Sequence, residues 1–123
     1  MAKYKNKKVT IDNIEFDSKL ESERYCELKL LQKAGLINNI KMQVPFELQP
    51  AFSKNKKKYR AIIYIADFVY YDEHLKKVIV EDVKGYKTKE YQIKKKLFEY
   101  KYPDFEILEI KKESKDEWRN FKY

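Results

Sequence analysis

The chain is 123 residues long and carries 28 Lys+Arg against 20 Asp+Glu, a formal net charge of +8, with 43% hydrophobic and 15% aromatic residues. That length suits one domain over residues 1–123, and so apolar a composition excludes a disordered polyelectrolyte, which could bury no core. The lone Cys26 excludes an internal disulfide or a multi-thiolate metal site and fits the reducing cytoplasm, and no apolar run approaches the roughly 20 residues of a membrane helix.

A basic arm, residues 1–8, opens the chain. Val9-Thr10-Ile11 and Ile14-Glu15-Phe16 flank Asp12-Asn13, a pair that tolerates the positive φ of a two-residue turn, so a small hairpin is predicted. Ser18 and Glu21 have the spacing of a capping box, Leu20, Leu28 and Leu31 supply an apolar stripe, and Gly35 suits a helix end, which predicts a helix over 18–34. From Ile37 to Phe52 the pattern is extended, with Pro45 and Pro50 disfavouring helix, and polar Ser53–Lys58 reads as a hairpin loop.

The return strand, Ala61–Tyr71, is apolar at both parities, as expected of a central strand covered on both faces, and Asp67 is its only charge. A polar turn over Asp72–Lys77, which holds the single histidine, His74, leads into a strand over Val78–Lys84 that Gly85 ends. Thr88 is an N-cap for a second helix, with Ile93, Leu97 and Tyr100 recurring at i, i+4 and i+7 and Pro103 closing it. Phe105–Ile110 predicts a short strand. In the charged tail, residues 111–123, Ser114 and Glu117 repeat the capping spacing before Trp118 and predict a terminal helix. The order of hairpin, helix, three strands, helix and strand defines an α+β sandwich, a small mixed sheet flanked by helices.

Alternation along a strand places Asp82 and Lys84 on one face with Val83 and Glu81 turned away, Glu81 then being a supporting or surface carboxylate. The same rule aligns Asp67 with Ile63, Ile65 and Val69, a face suited to burial, where a carboxylate needs a cation or hydrogen-bond partners. If the two strands form a hairpin, Asp67 and Asp82 come together beside Lys84. Two carboxylates that would otherwise repel suit a hard cation, Mg²⁺ or Mn²⁺, and an added ammonium suits the handling of water and charge in phosphodiester hydrolysis. The single histidine and two glycines exclude an HNH or zinc site and a P-loop.

The pairing of Ala66-Asp67 with Asp82-Val83-Lys84 resembles the signature of the PD-(D/E)XK nuclease superfamily, with alanine in place of proline and Asp in place of the commoner Glu. Phe16–Tyr25 is similar to the first helix of small phage-encoded members, of transposon-end nucleases and of archaeal Holliday-junction resolvases, and Glu21 matches their helix carboxylate. The resemblance covers about Phe16 to Ile110. It implies a restriction-endonuclease-like core and a DNA endonuclease of recombination, replication or repair, with Asp67, Asp82 and Glu21 on metal and Lys84 on water. Glu21 has a second reading as a helix cap alone.

Lys87, Lys89, Gln92 and Lys95, at and after the start of the second helix, are the candidate contacts to DNA phosphates, while the Lys54–Lys58 loop reads equally well as a solvated hairpin tip. A homodimer would suit paired cuts on two strands. The alternative function is a non-catalytic DNA-binding accessory protein on a degenerate nuclease fold.

Overall fold

The computed structural model describes residues 8–83, 88–113 and 117–118. The architecture is α+β: a small mixed sheet flanked by helices, with short hairpins attached. Strands β1 (Val9–Ile11) and β2 (Ile14–Phe16) pair around Asp12 and Asn13, which stand at φ 55° and 64°. Two successive left-handed residues are what a tight hairpin turn compatible with strand twist demands.

Helix α1 (Lys19–Lys33) starts where the Ser18 hydroxyl accepts the Glu21 N–H at 3.1 Å. It ends where Gly35, at φ 83°, lets Gly35 N–H reach Gln32 O and Leu36 N–H reach Leu31 O, the Schellman pair that satisfies terminal carbonyls. Its inward face is Tyr25 and Leu28 with the fully buried Arg24; Leu20 and Leu31 are only partly covered.

The four-stranded sheet has the order β3 (Ile37–Gln49), β6 (Ile62–Asp72), β7 (Lys77–Val83), β8 (Ile107–Ile110). β3, β6 and β7 are antiparallel, and β8 joins β7 in parallel after the crossover through α2 (Lys89–Lys101), which Thr88 caps at 3.0 Å. One core lies under α1, with Phe68, Tyr70, Ile79 and Ile110; the other lies under α2, where Phe98, Tyr64 and Tyr91 meet Phe46, Tyr102 and Phe105. In the loop Asp72–Lys77 the Asp72 carboxylate accepts the N–H groups of His74 and Leu75, and His74 is exposed.

Four expectations are corrected. Ser53–Lys58 is not a loop but the greater part of a hairpin of its own, β4 (Phe52–Lys54) and β5 (Lys57–Tyr59) around left-handed Asn55 and Lys56. The strand β6 is not covered on both faces throughout: β7 meets it only from Phe68 to Asp72, and in its first half Ile63 and Ile65 stay 39% and 52% exposed.

The buried stripe of α2 is Tyr91 and Phe98, whereas Ile93, Leu97 and Tyr100 face outward. Phe98 and Tyr91 meet the rings of Phe46 and Tyr64, and the Tyr91 hydroxyl has a carboxylate to bond. Finally, Glu117–Trp118, as β10, pairs antiparallel with Lys112–Glu113, as β9, instead of opening a helix. The capping spacing there has no apolar periodicity behind it, since residues 111–117 contain no apolar side chain to hold a helix on the core. The rest of the predicted terminal helix lies outside the described residues.

Candidate active site

Asp67 stands where β6 loses its regular partners on both sides. On the β3 side, Met42 pairs with Phe68 and Val44 with Ala66, but Gln43 between them is at φ 52° and the ladder skips it. A left-handed residue inside a strand rotates its peptide units out of the pleat and re-aims the side chain. The Gln43 amide therefore turns toward α1 and donates to two carboxylates, Glu21 Oε2 at 3.2 Å and Asp67 Oδ1 at 3.3 Å.

On the β7 side, pairing stops at Phe68–Glu81, and the Asp67 side chain takes over the next position: its Oδ2 accepts the Val83 N–H at 2.7 Å. Asp67 Oδ2 is consequently no more than about 5.5 Å from Asp82 Cα, because two covalent bonds separate that nitrogen from it. Glu21, Gln43 and Asp67 line a cleft of about 300 Å³ floored by Phe16, Met42 and Phe68.

Asp82 itself is 2% exposed and turned to the α2 side, where its Oδ2 accepts the Tyr64 hydroxyl at 2.6 Å. Burial first, and the Asp82 charge second, push the Tyr64 phenol well above the ordinary tyrosine range, so it stays a donor to the carboxylate. A second cleft of about 280 Å³ adjoins Asp82, lined also by Tyr64, Ile65, Thr88, Tyr91 and Lys94.

Sequence alternation is borne out here: Glu81 and Val83 face α1, while Val80 and Asp82 face α2. Convergence of all three acids is not seen. Among the described residues no group of three His, Cys, Asp or Glu side chains stands close enough to hold a metal; Glu21 and Asp67 are brought together, and Asp82 is next to them on the neighbouring strand but bonded to Tyr64. The donor set still fits a hard cation, since Mg²⁺ commonly takes only one or two carboxylates and fills its remaining positions with water and phosphate oxygen. The position between Glu21 and Asp67 already holds a hydrogen-bond donor, the neutral Gln43 amide.

Glu81 is neither a surface acid nor a ligand candidate. It is fully buried and takes a forked pair of hydrogen bonds from Arg24, Nε to Oε1 at 3.0 Å and Nη2 to Oε2 at 2.6 Å, with the Tyr70 hydroxyl also donating to it. Burial alone would lower the Arg24 pKa, but the bond and charge of Glu81 hold it above the usual value. This pair ties α1 to the strand that carries Asp82 and sets the depth of Glu21 one helical turn earlier.

Of the proposed DNA contacts, Lys89 and Gln92 are exposed on α2, while Lys95 is half-buried and bonded to Glu109 at 3.3 Å, an acid that also accepts the Tyr91 hydroxyl. Lys84 and Lys87 lie outside the described residues. Gln43 and the Arg24–Glu81 pair were not foreseen. Gln43 had no local signal, and Arg24 had only its spacing of one turn from Leu28 on the buried helix face.

The fold and site define a mixed α+β domain with an acidic cleft at the point where its sheet splays. The chain belongs to the family described as Protein of unknown function (DUF1064), which matches residues 1–118. No curated protein and no solved structure matches it.

Proposed function

We propose that this protein is a metal-dependent DNA nuclease of the PD-(D/E)XK type that hydrolyses phosphodiester bonds at the Glu21–Asp67 cleft, with Asp82 on the neighbouring strand. The observation that carries this reading is the convergence of Glu21 and Asp67, from different elements, on one hydrogen-bond donor in the middle of β3, where Asp67 also binds the end of the strand that carries Asp82. A bound Mg²⁺ or Mn²⁺ would supply an acidified water and charge neutralisation at phosphorus. Glu21 and Asp67 would hold that cation, with Asp82 on the neighbouring strand as a further acid. Lys84, the second residue after Asp82, orients the attacking water and stabilises negative charge. Lys89 and Gln92 meet backbone phosphates. Phage recombination or repair and a cytoplasmic location suit this chemistry.

A second reading, a non-catalytic DNA-binding accessory protein, is favoured by one feature, the engagement of Asp82 with Tyr64 instead of with Glu21 and Asp67. Purified protein incubated with branched, duplex and single-stranded DNA in Mg²⁺ or Mn²⁺ separates the two. Cleavage that EDTA abolishes is expected, and none on any substrate would establish the accessory reading.

Two variants then test the roles. Asp67→Ala should lose both cleavage and Mn²⁺ affinity while metal-free DNA binding holds or improves. Lys84→Ala should keep Mn²⁺ affinity and lose turnover by about 10²-fold or more; wild-type turnover in the latter would remove Lys84 from the mechanism.

A further inference from the structure

The β4–β5 hairpin carries a single sign of charge. Lys54, Lys56, Lys57, Lys58 and Arg60 fall within seven residues, and no acid occurs between Glu47 and Asp67. Every residue of both strands is exposed. Among the described residues no carboxylate pairs with any of these cations, whereas Lys94, Lys95 and Lys101 each have one.

The hairpin is also built against its own stability. Lys54 and Lys57 are directly opposed across the strands, a like-charge pair that destabilises a ribbon. Lys56 sits at φ 64°, where glycine would be unstrained. What offsets this is the stack of Phe52 on Tyr59, ring centroids 4.7 Å apart and 12° from parallel. The result is an exposed cationic hairpin held by one aromatic stack.

Its place relative to the cleft is set by the ladder. Beyond Asp67, β6 runs on paired to β3 alone, and the hairpin follows at the far end of that two-stranded extension. Tyr59, at the base of the hairpin, is eight positions from Asp67 and Lys56, at its tip, is eleven, spans of at most about 26 and 36 Å, or about eight and eleven base pairs of duplex at 3.4 Å each.

We propose that the β4–β5 hairpin is a DNA-docking finger that lies in a groove of duplex DNA within about eleven base pairs of the phosphate held at the cleft. The inference rests on the nuclease reading for where the DNA lies. A two-stranded ribbon fits the major groove, and cations of one sign suit its phosphate walls. Single strands are the weaker match: they need open aromatic platforms, and Tyr59 is already stacked on Phe52 with the Lys57 ammonium 5.2 Å from its ring.

The test is fluorescence anisotropy of a labelled 20-base-pair duplex and the matching single strand, in EDTA, from 50 to 200 mM KCl. Lys54→Ala, Lys56→Ala, Lys57→Ala and Lys58→Ala combined should weaken duplex binding at least tenfold and flatten the slope of log affinity against log salt by about 2 to 4. Lys29→Ala, Lys33→Ala, Lys76→Ala and Lys77→Ala combined remove the same charge at the opposite end of the sheet and should stay within about threefold of wild type. Lys56→Gly keeps the finger intact, relaxes its turn and should still weaken binding, because it removes a cation from the tip.

Equal losses in the two four-lysine variants, wild-type affinity in the hairpin variant, absence of duplex binding by the wild type, or preference for the single strand would each overturn the proposal. The two readings fail separately. Hairpin-dependent binding without cleavage in Mn²⁺ removes the nuclease and leaves the finger; cleavage with hairpin-independent binding does the reverse.

Discussion

At the residue scale, the decisive arrangement is an amide donor between two carboxylates. Gln43→Lys should place an ammonium there, lower Mn²⁺ affinity at least tenfold and raise the metal-free melting temperature, while Gln43→Ala should leave Mn²⁺ affinity equal or tighter; calorimetry on both variants reads it. Arg24 and Glu81 make a contrasting pair, fully buried and forked. Removing either partner strands a buried charge, so Arg24→Ala or Glu81→Ala should each cost about 3–5 kcal/mol in urea unfolding, and the double variant much less than their sum.

Tyr91 gives a pH prediction. Burial first and the Glu109 hydrogen bond second raise its phenol above the ordinary value. The folded state holds that proton more tightly than the unfolded chain, so this stabilisation is complete below about pH 10 and fades as pH rises through the raised value. Stability should fall above pH 10 more steeply in the wild type than in Tyr91→Phe; parallel curves would show that Tyr91 carries none of it.

At the element scale, the two helices differ in how readily sequence reveals them. Their ends are local chemistry: the Ser18 and Thr88 hydroxyls accept N–H groups three residues on, and Gly35 takes the left-handed position, so caps are legible from residue type and spacing alone. Which face of α2 is buried is a tertiary matter. The i, i+4, i+7 series Ile93, Leu97, Tyr100 stays exposed, while Tyr91 and Phe98 meet the aromatic residues of β3 and β6. Phe98→Ala should therefore cost about 3–5 kcal/mol, whereas Ile93→Lys and Tyr100→Lys should shift stability by no more than about 0.5 kcal/mol. Denaturant midpoints for the three variants check the assignment of faces.

At the scale of the whole molecule, the order of elements and the adjacency of the Asp67 and Asp82 strands were legible because hairpin and crossover lengths leave few alternatives. The site was legible only in part. Period-two alternation correctly separated Asp82 from Glu81, but a left-handed Gln43 inside β3 has no composition cue, and without it the meeting of Glu21 with Asp67 cannot be anticipated. Buried Arg24 was hidden for a similar reason: a charge is expected at the surface until its partner, 57 residues away, is known.

The irregular backbone of β3 also bears on how concentrated this protein can be kept. At 13 residues, β3 is a long strand on the open edge of the sheet, the sort of template on which further chains add and fibrils grow. Left-handed Asn39 and Gln43 break it twice and Pro45 removes a donor, so no long uninterrupted run of N–H and C=O groups is offered to a stranger. Replacing Asn39, Gln43 and Pro45 together with valine would straighten that rim. Light scattering of the triple variant should then rise with time and protein concentration under conditions in which the parent solution stays clear.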